Sequence, residues 1–128
     1  MDILFLIGRV LFSILFLMSA LNHFQHLEGM AQYAGSKGVP MPKLATGGTG
    51  VLLLLGGLSV LLGIYPTIGL ILLLVFLVPT SILMHDFWAM EDPQQRQMEM
   101  INFQKNMALA GACLMLLLVE AWPIAIVD

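Results

Sequence analysis

Apolar residues crowd into four runs along the chain, separated by two polar connections and one tight turn. The first run, residues 3–22, is interrupted only by Gly8, Arg9 and Ser13 before it ends at Asn22-His23. About 20 helical residues at 1.5 Å each cross a ~30 Å hydrocarbon core, so this run predicts a full transmembrane helix. His26 to Lys43 form the first connection. Within it, Leu27 to Ala34 predict a short interfacial helix with Met30, Tyr33 and Ala34 on its lipid side. Gly35 and Gly38 stop that helix, and Val39-Pro40-Met41-Pro42 is expected to be extended, because residues before proline avoid the α region.

The second run spans residues 44–64 and carries many small residues, among them Gly47, Gly48, Gly50, Gly56 and Gly57. Small residues let helix backbones approach closely in lipid, where no hydrophobic drive brings helices together. Gly50 and Gly57 are seven apart and share a face, which reads as a packing seam, with close approach of a cofactor as the alternative. Tyr65-Pro66 predicts a tight turn, and residues 66–84 make the third span. Pro79 removes a backbone donor there and predicts a kink, with Thr80 and Ser81 placed to satisfy freed carbonyls. Asp86 to Asn102 form the second connection. Asp92-Pro93 reads as an N-cap and first helical residue, so the last helix is expected to start near Pro93. It should then span residues 103–122 and break at Pro123.

The expected fold is therefore all-α: a single transmembrane domain over residues 1–128, a four-helix bundle in up-down-up-down order. Composition fits that solvent. Of 128 residues 59% are hydrophobic and 10% charged, and the mean hydropathy is +0.95; soluble domains carry roughly a quarter charged residues. A net charge of −3 argues against nucleic acid as a partner. Cys113 is the sole cysteine, which excludes an intrachain disulfide or a paired-thiol redox motif. The chain opens with Asp2 rather than a basic stretch, so no cleaved signal peptide is expected. Lys37, Lys43, Arg96 and Lys105 all belong to the connection side, and the opposite loops have no Lys or Arg. The positive-inside rule then puts the connections in the cytoplasm and both termini outside.

Several residues, in order, resemble the DoxX family of small membrane proteins. They are Gly8-Arg9, Ser19-Ala20-Leu21-Asn22, Tyr33-Ala34 with Gly38-Val39-Pro40, Leu55-Gly56-Gly57, His85-Asp86-Phe87-Trp88 and Phe103-Gln104-Lys105-Asn106. The resemblance covers nearly the whole chain and implies a four-helix bundle in the bacterial inner membrane. Some family members are linked to quinone-coupled oxidation of sulfur compounds, others to complexes that handle oxidative stress. Members often carry a glutamate three residues before the paired glycines; here that position is Leu53.

Two levels of polar residues stand out within the spans. Arg9 lies roughly 10 Å into span one by helix rise, where a charge needs a partner or a cavity. Glu120 lies near the same depth on span four, so an Arg9–Glu120 pair is one expectation; separate snorkelling to the interface is the other. Arg9, Ser13, Ala20 and His23 share a face of span one, and Asn106, Cys113 and Glu120 are spaced by seven on span four. The two stripes are easiest to satisfy facing each other inside the bundle.

The second level gathers His23, His26, His85, Asp86, Trp88, Lys105 and Asn106 at the connection side. One reading makes His85-Asp86 a proton-relay pair beside aromatics that suit a flat ring such as a quinone. The other is architectural: Asp86 pairs with Lys105, Asn106 caps backbone, and Phe87 and Trp88 anchor the interface. His23 and His26 are three apart, but no carboxylate or cysteine accompanies them at ligand spacing, so no metal site is expected.

Two functions follow. One is a membrane subunit of a quinone-linked redox or oxidative-stress system, docking a partner redox protein; it predicts a bounded, aromatic-lined pocket at the connection side. The other is a non-enzymatic scaffold or small-solute conduit. A conduit predicts a continuous polar path from Arg9 and Glu120 to the His85 level. Four short helices enclose little volume, so a pocket is expected to need a second copy or a partner, and a homo-oligomer is plausible on the small-residue seams.

Overall fold

In the computed structural model, which describes residues 2–127, five α-helices follow one another. They are α1 (Asp2–Gln25), α2 (Leu27–Ser36), α3 (Pro42–Leu62), α4 (Pro66–Met84) and α5 (Pro93–Leu116), with a 3-10 turn at Phe87–Ala89 before α5. α1, α3 and the segment 66–89 are each long and apolar enough to cross a membrane. The protein is an all-α membrane protein.

α1 shows why the pattern folds this way. Leu4, Ile7, Leu11, Ile14, Met18 and Leu21 recur every three or four residues and are exposed, forming a lipid-facing stripe. Arg9, Ser13, Phe16, Ala20 and His23 recur on the opposite face and are buried. The face shared by Arg9, Ser13, Ala20 and His23 is therefore the interior one, as their spacing predicts. Gly50 and Gly57 of α3 meet this face. A Cβ on Gly57 would stand 2.9 Å from Leu17 Cδ2, and one on Gly50 would stand 3.1 Å from the His23 Cβ. Gly56 turns instead toward α4, where Leu73 lies 2.6 Å from a notional Cβ. Paired glycines thus serve two neighbours, one each.

Packing runs from α1 to α3, α3 to α4 and α4 to α5, with α2 lying across α3 and the end of α1. Phe16, Leu53, Val60, Leu70, Leu73, Leu77, Ala110 and Cys113 form the buried core. Leu53 is fully buried among them. Ser81 Oγ donates to the carbonyl of Leu77 at 2.7 Å. That differs from the carbonyl Pro79 deprives of a donor, which is the one four residues earlier, on Val75.

The last helix differs from expectation at its end. α5 begins at Pro93, where the Asp92 side chain accepts from the Gln95 amide at 3.2 Å. It stops at Leu116 rather than Trp122, tightening through bonds from Leu118 N to Met115 O and Val119 N to Leu116 O. Pro123 disfavours helix at Trp122, and the tail finds better partners elsewhere. Tyr65 N donates to Val127 O at 2.7 Å, Val127 N to Gly63 O at 2.9 Å and Ile126 N to Leu62 O at 3.2 Å. Irregular backbone persists in a membrane protein only where such partners satisfy it. Glu120 therefore lies beyond the helix, is exposed, and does not continue the Asn106–Cys113 stripe.

α2 runs on past Ala34 and ends at Ser36. Its orientation also differs from expectation. Met30, Tyr33 and Ala34, expected on the lipid side, line a half-open cavity; Ala34 is buried and Met30 half-buried, whereas Tyr33 stays 42% exposed. An apolar helix face looks the same from sequence whether it meets lipid or a cavity wall.

Candidate functional site

Arg9 is built into the end of the bundle that holds the α3–α4 turn. Its Nε donates to Val60 O at 3.1 Å and Nη2 to Leu61 O at 2.9 Å. Nη1 donates to Pro123 O at 2.6 Å and Ile124 O at 3.1 Å. Val60 and Leu61 belong to the last turn of α3, whose carbonyls have no helical donors and carry the negative end of the helix dipole. The Trp122 ring lies 5.5 Å from the guanidinium and 5.2 Å edge-on to Phe5. Arg9 therefore does not pair with Glu120. Four carbonyls take its fork, and the tail places Glu120 in the open.

The connection end is organised around a half-open cavity of about 500 Å³ formed by residues of one chain. α1 contributes Phe16, Ser19, Asn22 and His23; α3 contributes Thr46 and Thr49; α4 contributes Phe76 and Thr80; α5 contributes Glu99, Lys105, Asn106 and Leu109. Pro79 and Val75 lie on the same wall, placing the donorless Val75 carbonyl segment beside it. α1 and α5 both line the cavity, yet they do not pack along one another. The cavity thus opens where α1 and α5 stand apart, with α2, α3 and α4 completing its walls.

Three polar side chains are more than nine-tenths buried and still lack hydrogen bonds on their cavity-facing groups. Asn106 is 5% exposed, Thr46 6% and His23 9%. His23 Nδ1 lies 2.8 Å from the Ser19 carbonyl, and its ring stands edge-on to Phe76 at 5.9 Å. No hydrogen bond within the described residues reaches His23 Nε2, the Thr46 hydroxyl or the Asn106 amide, and none of these atoms is sealed off. Ser13 Oγ is the sealed, unpartnered side-chain atom among the described residues. The polar atoms of His23, Thr46 and Asn106 are thus open to one cavity, where they are available to hydrogen-bond whatever enters it.

His85 and Asp86 are not a pair. His85 Nδ1 lies 3.2 Å from Glu99 Oε2, and Asn102 Nδ2 donates to Glu99 Oε1 at 2.9 Å. Asp86 instead holds Lys37, tying the loop after α2 to the loop after α4. Asp86 raises the Lys37 pKa, chiefly by hydrogen bonding, against a smaller desolvation effect. Neighbours in non-helical backbone point apart, which separates the two residues. The Asp86–Lys105 pair is likewise absent: Lys105 is exposed at the cavity rim.

Trp88 stands outside the cavity, half-exposed. It packs edge-on with Phe87 at 5.2 Å and Phe103 at 5.6 Å. Of the expected cluster, His23, His85, Lys105 and Asn106 come together, whereas Asp86 and Trp88 do not. Neither Lys37 nor Glu99 stands out in the sequence, since a lone charged residue in a polar connection reads as solvated. His26 is exposed and away from the cavity, and no three His, Cys, Asp or Glu side chains among the described residues cluster as metal ligands.

The polar lining does not reach Arg9. Leu53, Leu70 and Leu73, none more than 1% exposed, are buried in the bundle outside the cavity lining, and Arg9 also lies outside its walls. The cavity lining is partly aromatic, with Phe16, Tyr33 and Phe76.

Comparison with known proteins bears on this geometry. A family model described as DoxX matches residues 4–86. Inner membrane protein YphA of Escherichia coli (strain K12) is 30% identical over 114 residues, covering 89% of this chain and 81% of that protein. No solved structure matches the chain.

Proposed function

The chain belongs to the DoxX family, and on that footing we propose that it is a bacterial inner-membrane protein that holds a quinone-type amphiphile between α1 and α5. In this reading it is the membrane subunit of a quinone-linked redox or oxidative-stress system, and a partner redox protein supplies electrons. The observation that carries the reading is the cavity with His23, Thr46 and Asn106 around it, buried residues whose polar atoms are open to the cavity and make no hydrogen bond among the described residues.

The residues fit such a group. A volume of about 500 Å³ lies inside the ~300–1,000 Å³ range of small-molecule sites, which combine apolar walls with a few placed polar groups. Phe76 and Tyr33 give aromatic surface for a ring, while the Asn106 amide and Thr46 hydroxyl offer hydrogen bonds to its oxygens. The loose α1–α5 side supports a tail extending into lipid. When bound, a quinone would supply two-electron, two-proton chemistry, and the chain's own part is to bind and orient the ring. Lys37, Lys43, Arg96 and Lys105 lie toward the cavity end, so the positive-inside rule puts this end in the cytoplasm and the Arg9 end outside.

Purification in mild detergent, followed by extraction and identification of bound small molecules, tests the reading. Recovered quinone supports it. Protein that emerges empty, with a partner co-purifying, overturns it in favour of an assembly scaffold.

A further inference from the structure

Both histidines in the cavity wall have one ring nitrogen committed, and the partner sets the tautomer. His23 Nδ1 faces the Ser19 carbonyl at 2.8 Å. A carbonyl only accepts, so Nδ1 carries the proton. His85 Nδ1 faces Glu99 Oε2 at 3.2 Å, and Glu99 Oε1 accepts from Asn102. An ionised carboxylate also only accepts, so Nδ1 of His85 donates as well. In each neutral imidazole the remaining nitrogen, Nε2, is then an acceptor, and neither Nε2 has a hydrogen bond among the described residues.

We propose that the cavity selects a head group that donates hydrogen bonds through hydroxyls over one that accepts through carbonyls, with His23 Nε2 and His85 Nε2 as the acceptors. This rests on the binding reading above and adds to it the favoured chemical form: a quinol, or another hydroxylated amphiphile, rather than a dione. Thr46 and Asn106 can donate or accept and so serve either form. Lys105 is the one donor-only side chain on the wall, and it lies exposed at the rim. A dione would set its oxygen lone pairs against those of two imidazoles and offer a donor to neither. Glu99 is a positioning residue here: it acts by fixing which His85 nitrogen holds the proton.

The test uses full-length protein in nanodiscs of phosphatidylethanolamine and phosphatidylglycerol, titrated without oxygen. Decylubiquinol, decylubiquinone and farnesol are the probes. Decylubiquinol is expected to bind roughly tenfold tighter than decylubiquinone, the worth of about one good hydrogen bond. In Glu99→Gln the amide can donate to His85 Nδ1, so the preference should shrink severalfold and the ¹⁵N shifts of the His85 ring should exchange between its two nitrogens. The wild-type ratio decides the matter even if that variant folds poorly. Decylubiquinone binding as tightly as decylubiquinol overturns the inference and leaves the cavity reading standing. Farnesol matching decylubiquinol supports hydroxyl selection but overturns the quinone assignment. If none of the three binds, both fall.

Discussion

Replacing Arg9 by methionine should unlock one end of the bundle without touching the cavity. The guanidinium makes four hydrogen bonds, to Val60, Leu61, Pro123 and Ile124, and its residue is 3% exposed. Hydrogen bonds to charged groups contribute roughly 1.5–3 kcal/mol each in water-soluble proteins. Within membranes the figure is nearer ~1 kcal/mol, because the unfolded chain also finds partners. Taking the lower value for each bond gives a loss of about 4 kcal/mol for Arg9→Met. Lysine keeps the charge at the α3 C-terminus but has no fork to span two chain segments, so Arg9→Lys should lose about half as much. Unfolding in mixed detergent, followed by Trp122 fluorescence in a Trp88→Phe background, measures both. The tail should also become open to protease within residues 117–127 in Arg9→Met. A loss below about 1 kcal/mol with an unchanged cleavage pattern would refute the clamp.

Three further outcomes follow from the geometry. Gly69→Ala should destabilise the α3–α4 hairpin by roughly 1–3 kcal/mol through overpacking, because a Cβ would stand 2.2 Å from Ser59 Oγ; chemical denaturation reads this, and a neutral result would contradict the packing. The Lys37–Asp86 pair, partly buried, should contribute roughly 1 kcal/mol. Lys37 has a raised pKa in the folded state, so that contribution is complete below the ordinary lysine value of 10.5 and is lost as pH climbs through the folded value. Lys37→Met should therefore flatten the alkaline loss of melting temperature and leave neutral-pH behaviour lower by a constant amount. Trp88→Leu should break the edge-on trio with Phe87 and Phe103 yet leave ligand affinity within about twofold, since Trp88 is outside the cavity; a tenfold loss would relocate the site.

Local features of the fold are legible in the residue pattern. The three- and four-residue spacing of Arg9, Ser13, Ala20 and His23 marks the buried face of α1, and Asp92-Pro93 marks the start of α5. What the pattern does not carry depends on contacts between distant segments. The partners of Arg9 are backbone carbonyls 51 to 115 residues away, and a carbonyl has no letter in the sequence. Glu120 is a plausible partner only if α5 continues past Leu116; the tail's bonds to Gly63 and Tyr65 decide otherwise. Ala34 and Met30 read as lipid-facing because an apolar cavity wall and a lipid face share one pattern. Lys37 and Glu99 lie in polar connections where solvation is the ordinary fate of a charge. The level of the inner cluster is thus legible but its pairing is not, and its two strongest pairs each use one residue that the pattern leaves unmarked.

The proposed binding of an amphiphile in the cavity lined by α1 and α5 is tested most directly by site mapping with a photoreactive quinone analogue in nanodiscs. After illumination and digestion, label is predicted on peptides holding residues 15–23 of α1 and 105–109 of α5, suppressed by excess unlabelled quinol. Label confined to the Phe87-Trp88-Phe103 surface, or spread evenly over the lipid-facing stripe of α1, would contradict the account.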